Sequence, residues 1–191
     1  MLHRRDFLTT AAAVTFFAVD LANALTRSSS DLKPGEFLWQ PELAPDGPVV
    51  IIVSIPDQLV HVYRNGVEIA VSTCSTGKPG HATPTGVFTI LQKDKDHHSS
   101  TYNNAPMPNM ERLTWSGIAL HAGNLPGYPA SHGCVRLPKA FSANLFGITH
   151  LGVPVIIADA RSQPADVVHP SFLLPPEAEQ EAGEAMLAAA K

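Results

Sequence analysis

Apolar positions in the first half of this chain fall into short β-branched runs and alternating stretches, the pattern of strands. Val49-Val50-Ile51-Ile52-Val53-Ser54 is an unbroken β-branched run, which predicts a strand buried on both faces. Gln58 to Arg64 alternates, with Leu59, His61 and Tyr63 on one side and Val60 and Val62 on the other. Asn65-Gly66 is a hairpin turn signal because both residues tolerate positive φ, and Val67 to Ser72 is the return strand. Thr83-Pro84-Thr85-Gly86 turns the chain into a strand over Val87 to Gln92. Lys93 to Met110 breaks the pattern: it is polar, carries His97-His98 and Asn103-Asn104, and contains Pro106 and Pro108, so it predicts a long exposed loop able to cover a cleft.

Gly117 to His121 predicts a short strand ending at a histidine, and Ala122 to His132 a Gly/Pro-rich turn region. Pro138 opens a predicted helix with Ala140, Phe141, Leu145 and Phe146 as its apolar face and Gly147 near its end. Gly152 to Ile157 is the last strand, and Trp115, Phe88 and Phe141 are expected in the core. About six or seven strands against one helix, without alternation of the two, predict a mainly β domain and disfavour a doubly wound parallel sheet.

The flanks read differently. His3-Arg4-Arg5-Asp6-Phe7-Leu8 precedes an apolar run from Thr9 to Val19, shorter than the roughly 20 residues that span a membrane. Residues 1–24 therefore read as an export signal with processing after Ala24 of Ala22-Asn23-Ala24, against the plainer reading of a short amphipathic helix. The arginine pair resembles a twin-arginine signal, which implies delivery to the periplasm already folded and a mature chain that is soluble there. Residues 25–47, rich in Ser, Pro and Gly, predict a linker that ends by packing Phe37, Leu38 and Trp39 onto the domain. Residues 160–191 form a C-terminal tail, with a marginal solvated helix over Glu177 to Lys191.

The 191 residues suit one domain, and 45% hydrophobic against 16% charged residues excludes a disordered chain. A net charge of -4 supplies no basic footprint for nucleic acid. Two cysteines, Cys74 and Cys134, are open to pairing in an oxidising compartment. A domain this long needs no staple, and Cys74, in apolar surroundings, reads as a small buried residue. His61, His81, His97 and His98 lack the ligand spacing of a zinc site.

Cys134 is different, because Ser131-His132-Gly133 precedes it. A thiol attacks well only as thiolate and needs a base beside it. His121, at a strand end 13 residues earlier, can be brought back to Cys134 by the intervening Gly/Pro-rich turn. His132, two residues from the sulfur, is free to face elsewhere in extended chain. Gly133 removes a Cβ from the substrate's path and leaves the N–H groups of His132, Gly133 and Cys134 to meet an oxyanion. An inert buried thiol is the plain alternative.

These residues match a family. His121, a spacer of nine, and then Ser131-His132-Gly133-Cys134-Val135-Arg136 resemble the His-x(n)-Ser/Thr-His-Gly-Cys signature of the L,D-transpeptidases, or YkuD-domain proteins. Ser75-Thr76-Gly77-Lys78 and Thr83-Pro84-Thr85-Gly86-Val87-Phe88 resemble two further family segments, and Asp57 to Gly66 its first hairpin, so the resemblance spans roughly residues 48 to 159. It implies a β-sandwich-like catalytic fold with mixed sheets and acyl transfer on peptidoglycan stem peptides through an acyl-enzyme on Cys134. His121 would be the base, oriented by the main-chain carbonyl of Ala122, with His132, Gly133 and Cys134 around the oxyanion and Ser131 supporting the loop. Arg136, where many members have Asn, suits a stem carboxylate, while Asn104 and Met110 are candidate cleft-lining residues of a lid.

The products implied are 3-3 cross-links or attachment of an outer-membrane protein to the wall, by a monomer that needs no cofactor and no metal. A non-catalytic module binding peptidoglycan or protein on the same scaffold is the alternative from another functional class.

Overall fold

The structure, a computed structural model, describes residues 29–162. The expected export signal and the Glu177 to Lys191 helix lie outside the described residues. Among the described residues, ten strands form two mixed sheets and one α-helix accompanies them. The first sheet holds β1 (Phe37–Trp39), β2 (Val49–Ser54), β3 (Leu59–Arg64), β4 (Val67–Thr73), β5 (Gly86–Thr89) and β10 (Pro154–Ala158), in the order β1-β4-β3-β2-β10-β5. The second holds β6 (Gln92–His98), β7 (Pro106–Arg112), β8 (Ala119–Ala122) and β9 (Val135–Leu137), in that order. Helix α1 (Lys139–Ile148) follows β9 directly.

The β-branched run does form a strand with neighbours on both edges: β2 lies antiparallel to β3 and parallel to β10. Its Ile51 and Val53 are buried in the main core. Asn65 and Gly66 both take positive φ, as the tight β3–β4 turn requires. Phe37 and Trp39 are more than the end of a linker. β1 pairs with β4, Phe37 opposite Ser72 and Trp39 opposite Ala70, and both rings meet Phe141 of α1 at centroid distances of 5.5 and 5.6 Å.

The segment 93–110 corrects the expectation of a long loop. It is a hairpin in which β6 and β7 pair from Gln92 opposite Arg112 to His98 opposite Pro106, leaving only residues 99–105 as loop. β6 is so polar that no apolar alternation marks it, since most of its residues are half-buried or exposed. Pro106 and Pro108 are tolerated because β7 pairs with β8 only at Glu111 and Arg112, so the prolines need no donor on that side. Trp115 is the second correction: it is 75% exposed in the turn between β7 and β8, whereas Phe141 is fully buried and Phe88 packs at the core edge. On α1, Phe141 and Leu145 face inward as expected, but Ala140 is exposed and Ser142 takes the buried place.

Candidate active site

The second sheet has two distinct faces. Leu120, Val135 and Leu137 enter the main core, and the alternate residues of β8 and β9 take the other side. His121 and Arg136 are register partners across the parallel β8–β9 pair, and Cys134, two residues before Arg136, shares their face. All three line one cleft of about 710 Å³, walled by the β6–β7 hairpin on one side and the turn after β8 on the other.

Short polar bonds hold the turn that carries the sulfur. Ser131 is buried, and its hydroxyl donates to the Cys134 carbonyl (2.5 Å) while accepting from the Gly133 N–H (3.1 Å). That N–H is therefore occupied, contrary to the expectation of three free oxyanion donors. Gly133 itself is required: its φ is +115°, and a Cβ would lie 2.8 Å from Ile118 Cδ1.

The Ser75-Thr76-Gly77-Lys78 stretch is laced to the same turn. The Ser75 and Arg136 main chains exchange hydrogen bonds of 3.0 and 2.9 Å, the Ser131 N–H donates to the Thr76 carbonyl, and the Lys78 N–H donates to that of Ser131. Thr83 joins both, accepting from the Gly77 N–H and donating to the Gly133 carbonyl, each at 2.8 Å. The Gln58 side chain braces Thr76 through two bonds, a role no motif in the sequence announced.

His121 is buried, and its Nδ1 donates to the Ala122 carbonyl at 2.8 Å, which leaves Nε2 as the basic atom of the neutral ring. Burial pushes the His121 pKa down to about 4, and the Ala122 bond only partly opposes that; the Arg136 charge lowers it further. Burial raises the Cys134 thiol, against weaker opposing effects from the Ala119 main chain, Arg136 and Arg112. The thiol donates to the Gly117 carbonyl at 3.4 Å. Burial thus favours the uncharged form of both the thiol and the imidazole in this cleft.

The other candidate residues divide. Arg136 lines the cleft, and Gly123 makes room for it, since a Cβ there would meet Arg136 Cγ at 2.8 Å. The His132 side chain is exposed at the cleft, between the rings of His81 (4.7 Å) and Tyr102 (4.6 Å). Met110 is fully buried in a small cluster with Met107 and Ala119, against which Cys134 packs; it is floor beneath the sulfur and cannot touch substrate. Asn104 is exposed in the hairpin loop and does not line the cleft, where Tyr102 and Ala105 do.

Sequence reasoning missed Arg112 and His97, both cleft-lining, because they sit in the stretch taken as loop or just beyond it. Cys74 and Cys134 are both free thiols. Among the described residues no group of three or more His, Cys, Asp or Glu is arranged to hold a metal ion.

A two-sheet β domain that sets a cysteine and a carbonyl-oriented histidine in one cleft has the makings of a thiol-dependent enzyme. The chain belongs to the L,D-transpeptidase catalytic domain family (YkuD), whose pattern matches residues 48–157. Its structure is similar to that of an L,D-transpeptidase from Mycobacterium tuberculosis H37Rv, at 26% identity and a TM-score of 0.55 over 58% of this chain and 57% of that one. It is also similar to the L,D-transpeptidase of Xylanimonas cellulosilytica DSM 15894, at 25% identity and a TM-score of 0.55 over 59% and 61% of the two chains. A third relative, LdtMt1 solved in complex with imipenem, gives 25% identity and a TM-score of 0.54 over 58% of each chain. The chain thus spans less than two thirds of the length of these structures. No curated protein matches it.

Proposed function

We propose that this chain is a cysteine-dependent L,D-transpeptidase acting on peptidoglycan stem peptides. The observation that carries the reading is the placement of His121, Cys134 and Arg136 on one face of one sheet, in one cleft, with His121 oriented by the Ala122 carbonyl.

His121 Nε2 takes the thiol proton as Cys134 Sγ attacks the carbonyl carbon of the third stem residue. The main-chain N–H groups of His132 and Cys134 meet the developing oxyanion, since that of Gly133 is held by Ser131. The C–N bond to the terminal D-alanine breaks, and His121 returns the proton to the leaving amine. An amine of a second stem, or of a protein, then attacks the thioester and frees the thiol, giving a 3-3 cross-link or a wall-attached protein. Arg136 holds the terminal carboxylate of the donor, because a guanidinium suits a carboxylate and the described residues give it no acidic partner. The chain would work in the periplasm as a monomer, exported through the twin-arginine route that Arg4-Arg5 suggests.

Imipenem, the ligand in the LdtMt1 structure, is a ready probe of the sulfur. Intact-mass analysis after exposure is expected to show one adduct, mapped to Cys134 and lost in Cys134→Ala and His121→Ala. An unmodified thiol in a folded chain that still binds sacculi would replace this reading with that of a binding module. Muropeptide analysis of sacculi treated with the protein then identifies the acceptor.

A further inference from the structure

The cleft around Cys134 is lined by three basic side chains, Arg112, Arg136 and Lys139, and by no Asp or Glu among the described residues, although the whole chain carries a net charge of -4. Two of the three flank the sulfur from different strands. Arg112 on β7 pairs with Ala119, and Arg136 on β9 pairs with His121, so the two guanidinium groups start from strands separated by two inter-strand spacings, about 10 Å.

Arg112 is held in place. Its Nε donates to Gln92 Oε1 (2.8 Å) and its Nη2 to His97 Nε2 (3.4 Å). Because arginine has donors only, His97 Nε2 is the acceptor and His97 Nδ1 carries the hydrogen donated to Asp94 Oδ2 at 3.1 Å. These bonds engage two of five guanidinium N–H groups, and no carboxylate of the described residues lies within ion-pair distance of Arg112. An oriented, half-buried cation without a counter-ion, facing a substrate cleft, is built to receive an anion.

We infer that Arg112 is a specificity residue that reads a second carboxylate of the donor stem, in addition to the terminal carboxylate held by Arg136. The inference rests on the proposed transpeptidase reading and deepens it. Two internal carboxylates of a stem have this chemistry: that of the glutamate before the acylated residue, and that on the side chain of the acylated diaminopimelate. Amidation of either removes the charge and leaves the shape nearly unchanged.

The test uses three synthetic tetrapeptide stems: one with both internal carboxylates free, one amidated at the glutamate and one amidated at diaminopimelate. Thioester formation on Cys134 is followed by mass, and exchange of the terminal D-alanine by kcat/KM. Wild type is expected to prefer the free stem over one of the amidated stems by roughly tenfold or more, which identifies the carboxylate read. Arg112→Gln is expected to bring that ratio close to one through lost turnover of the free stem, and Arg112→Lys, which keeps the charge but not the fork, to retain an intermediate ratio.

Equal use of all three stems by wild type overturns the inference, as does an Arg112→Gln protein that loses the same factor on every stem, since Arg112 would then only support the site. If imipenem acylates Cys134 while the stems show no discrimination, the transpeptidase reading stands and this inference fails. If neither imipenem nor any stem acylates Cys134, both fall.

Discussion

At the scale of single residues, burial favours the uncharged form of both His121 and Cys134. Burial depresses the pKa of His121 to about 4 and raises that of Cys134, so in the proposed reaction the thiol holds its proton until the neutral imidazole takes it. The sign of the pH response follows. A folded-state histidine with a depressed pKa stays neutral, and so competent as a base, down to about pH 4, instead of being protonated near 6.5. If His121 takes the proton during attack, the rate of Cys134 acylation by imipenem stays flat from pH 8 to about pH 5 and falls as pH nears 4. If preformed thiolate were the attacker, the rate would climb about tenfold per pH unit throughout that range. Stopped-flow acylation across pH 4 to 9 separates the two.

The signature residues were legible in sequence because each is chemically distinctive and closely spaced. What could not be read was the use of each N–H: Ser131 captures that of Gly133 only because the turn folds its hydroxyl back between residues 133 and 134.

At the scale of elements, the β6–β7 hairpin is where sequence and structure part. A strand reading Gln-Lys-Asp-Lys-Asp-His-His presents no apolar face, since its side chains meet solvent, the cleft or charged partners. The element is held by contacts distant in sequence. Lys93 Nζ donates to the carbonyls of Phe146 (2.6 Å) and Thr149 (2.7 Å), capping the C-terminal end of α1, and stands 3.7 Å from the buried carboxylate of Glu111. Burial raises the Glu111 pKa, and its bond from the Thr149 hydroxyl and the nearby Lys93 charge act against that. Lys93→Met leaves Glu111 buried without its cation and the helix carbonyls without a donor, so it is expected to lower unfolding free energy by about 3 kcal/mol. Adding Glu111→Gln to that variant should restore most of the loss, because the uncompensated charge is the larger part. Urea unfolding of the two singles and the double measures it. By contrast β2, the β3–β4 hairpin and α1 were readable, because each follows from local chemistry: a β-branched run, Asn-Gly, and a proline ahead of an apolar face.

At the scale of the molecule, the folded unit begins before the family pattern does. That pattern starts at residue 48, yet β1 completes the six-stranded sheet from residues 37–39. Three residues are too few for a periodic signal, so only pairing with β4 reveals the strand. Its Phe37 and Trp39 rings press on Phe141, and Phe141 anchors α1, which leaves β9 and its Cys134 turn through Pro138 alone. On the other side, the Glu36 carbonyl accepts from the Thr73 N–H at 3.2 Å, just before the Ser75 to Lys78 stretch that is laced to the same turn. β1 therefore braces the site from both of its supports without touching the cleft. The paired change Phe37→Ala, Trp39→Ala is expected to cost about 3 kcal/mol or more, from lost apolar burial and the cavity beside Phe141. It should also slow acylation of Cys134 in protein that remains folded, because the turn loses rigidity before the sheet is lost. A chain beginning at Pro48 should show both effects more strongly, by urea midpoint and by imipenem acylation rate. A melt and an acylation rate equal to those of the full chain would mean that the catalytic domain ends where the family pattern does and that β1 contributes nothing to the site.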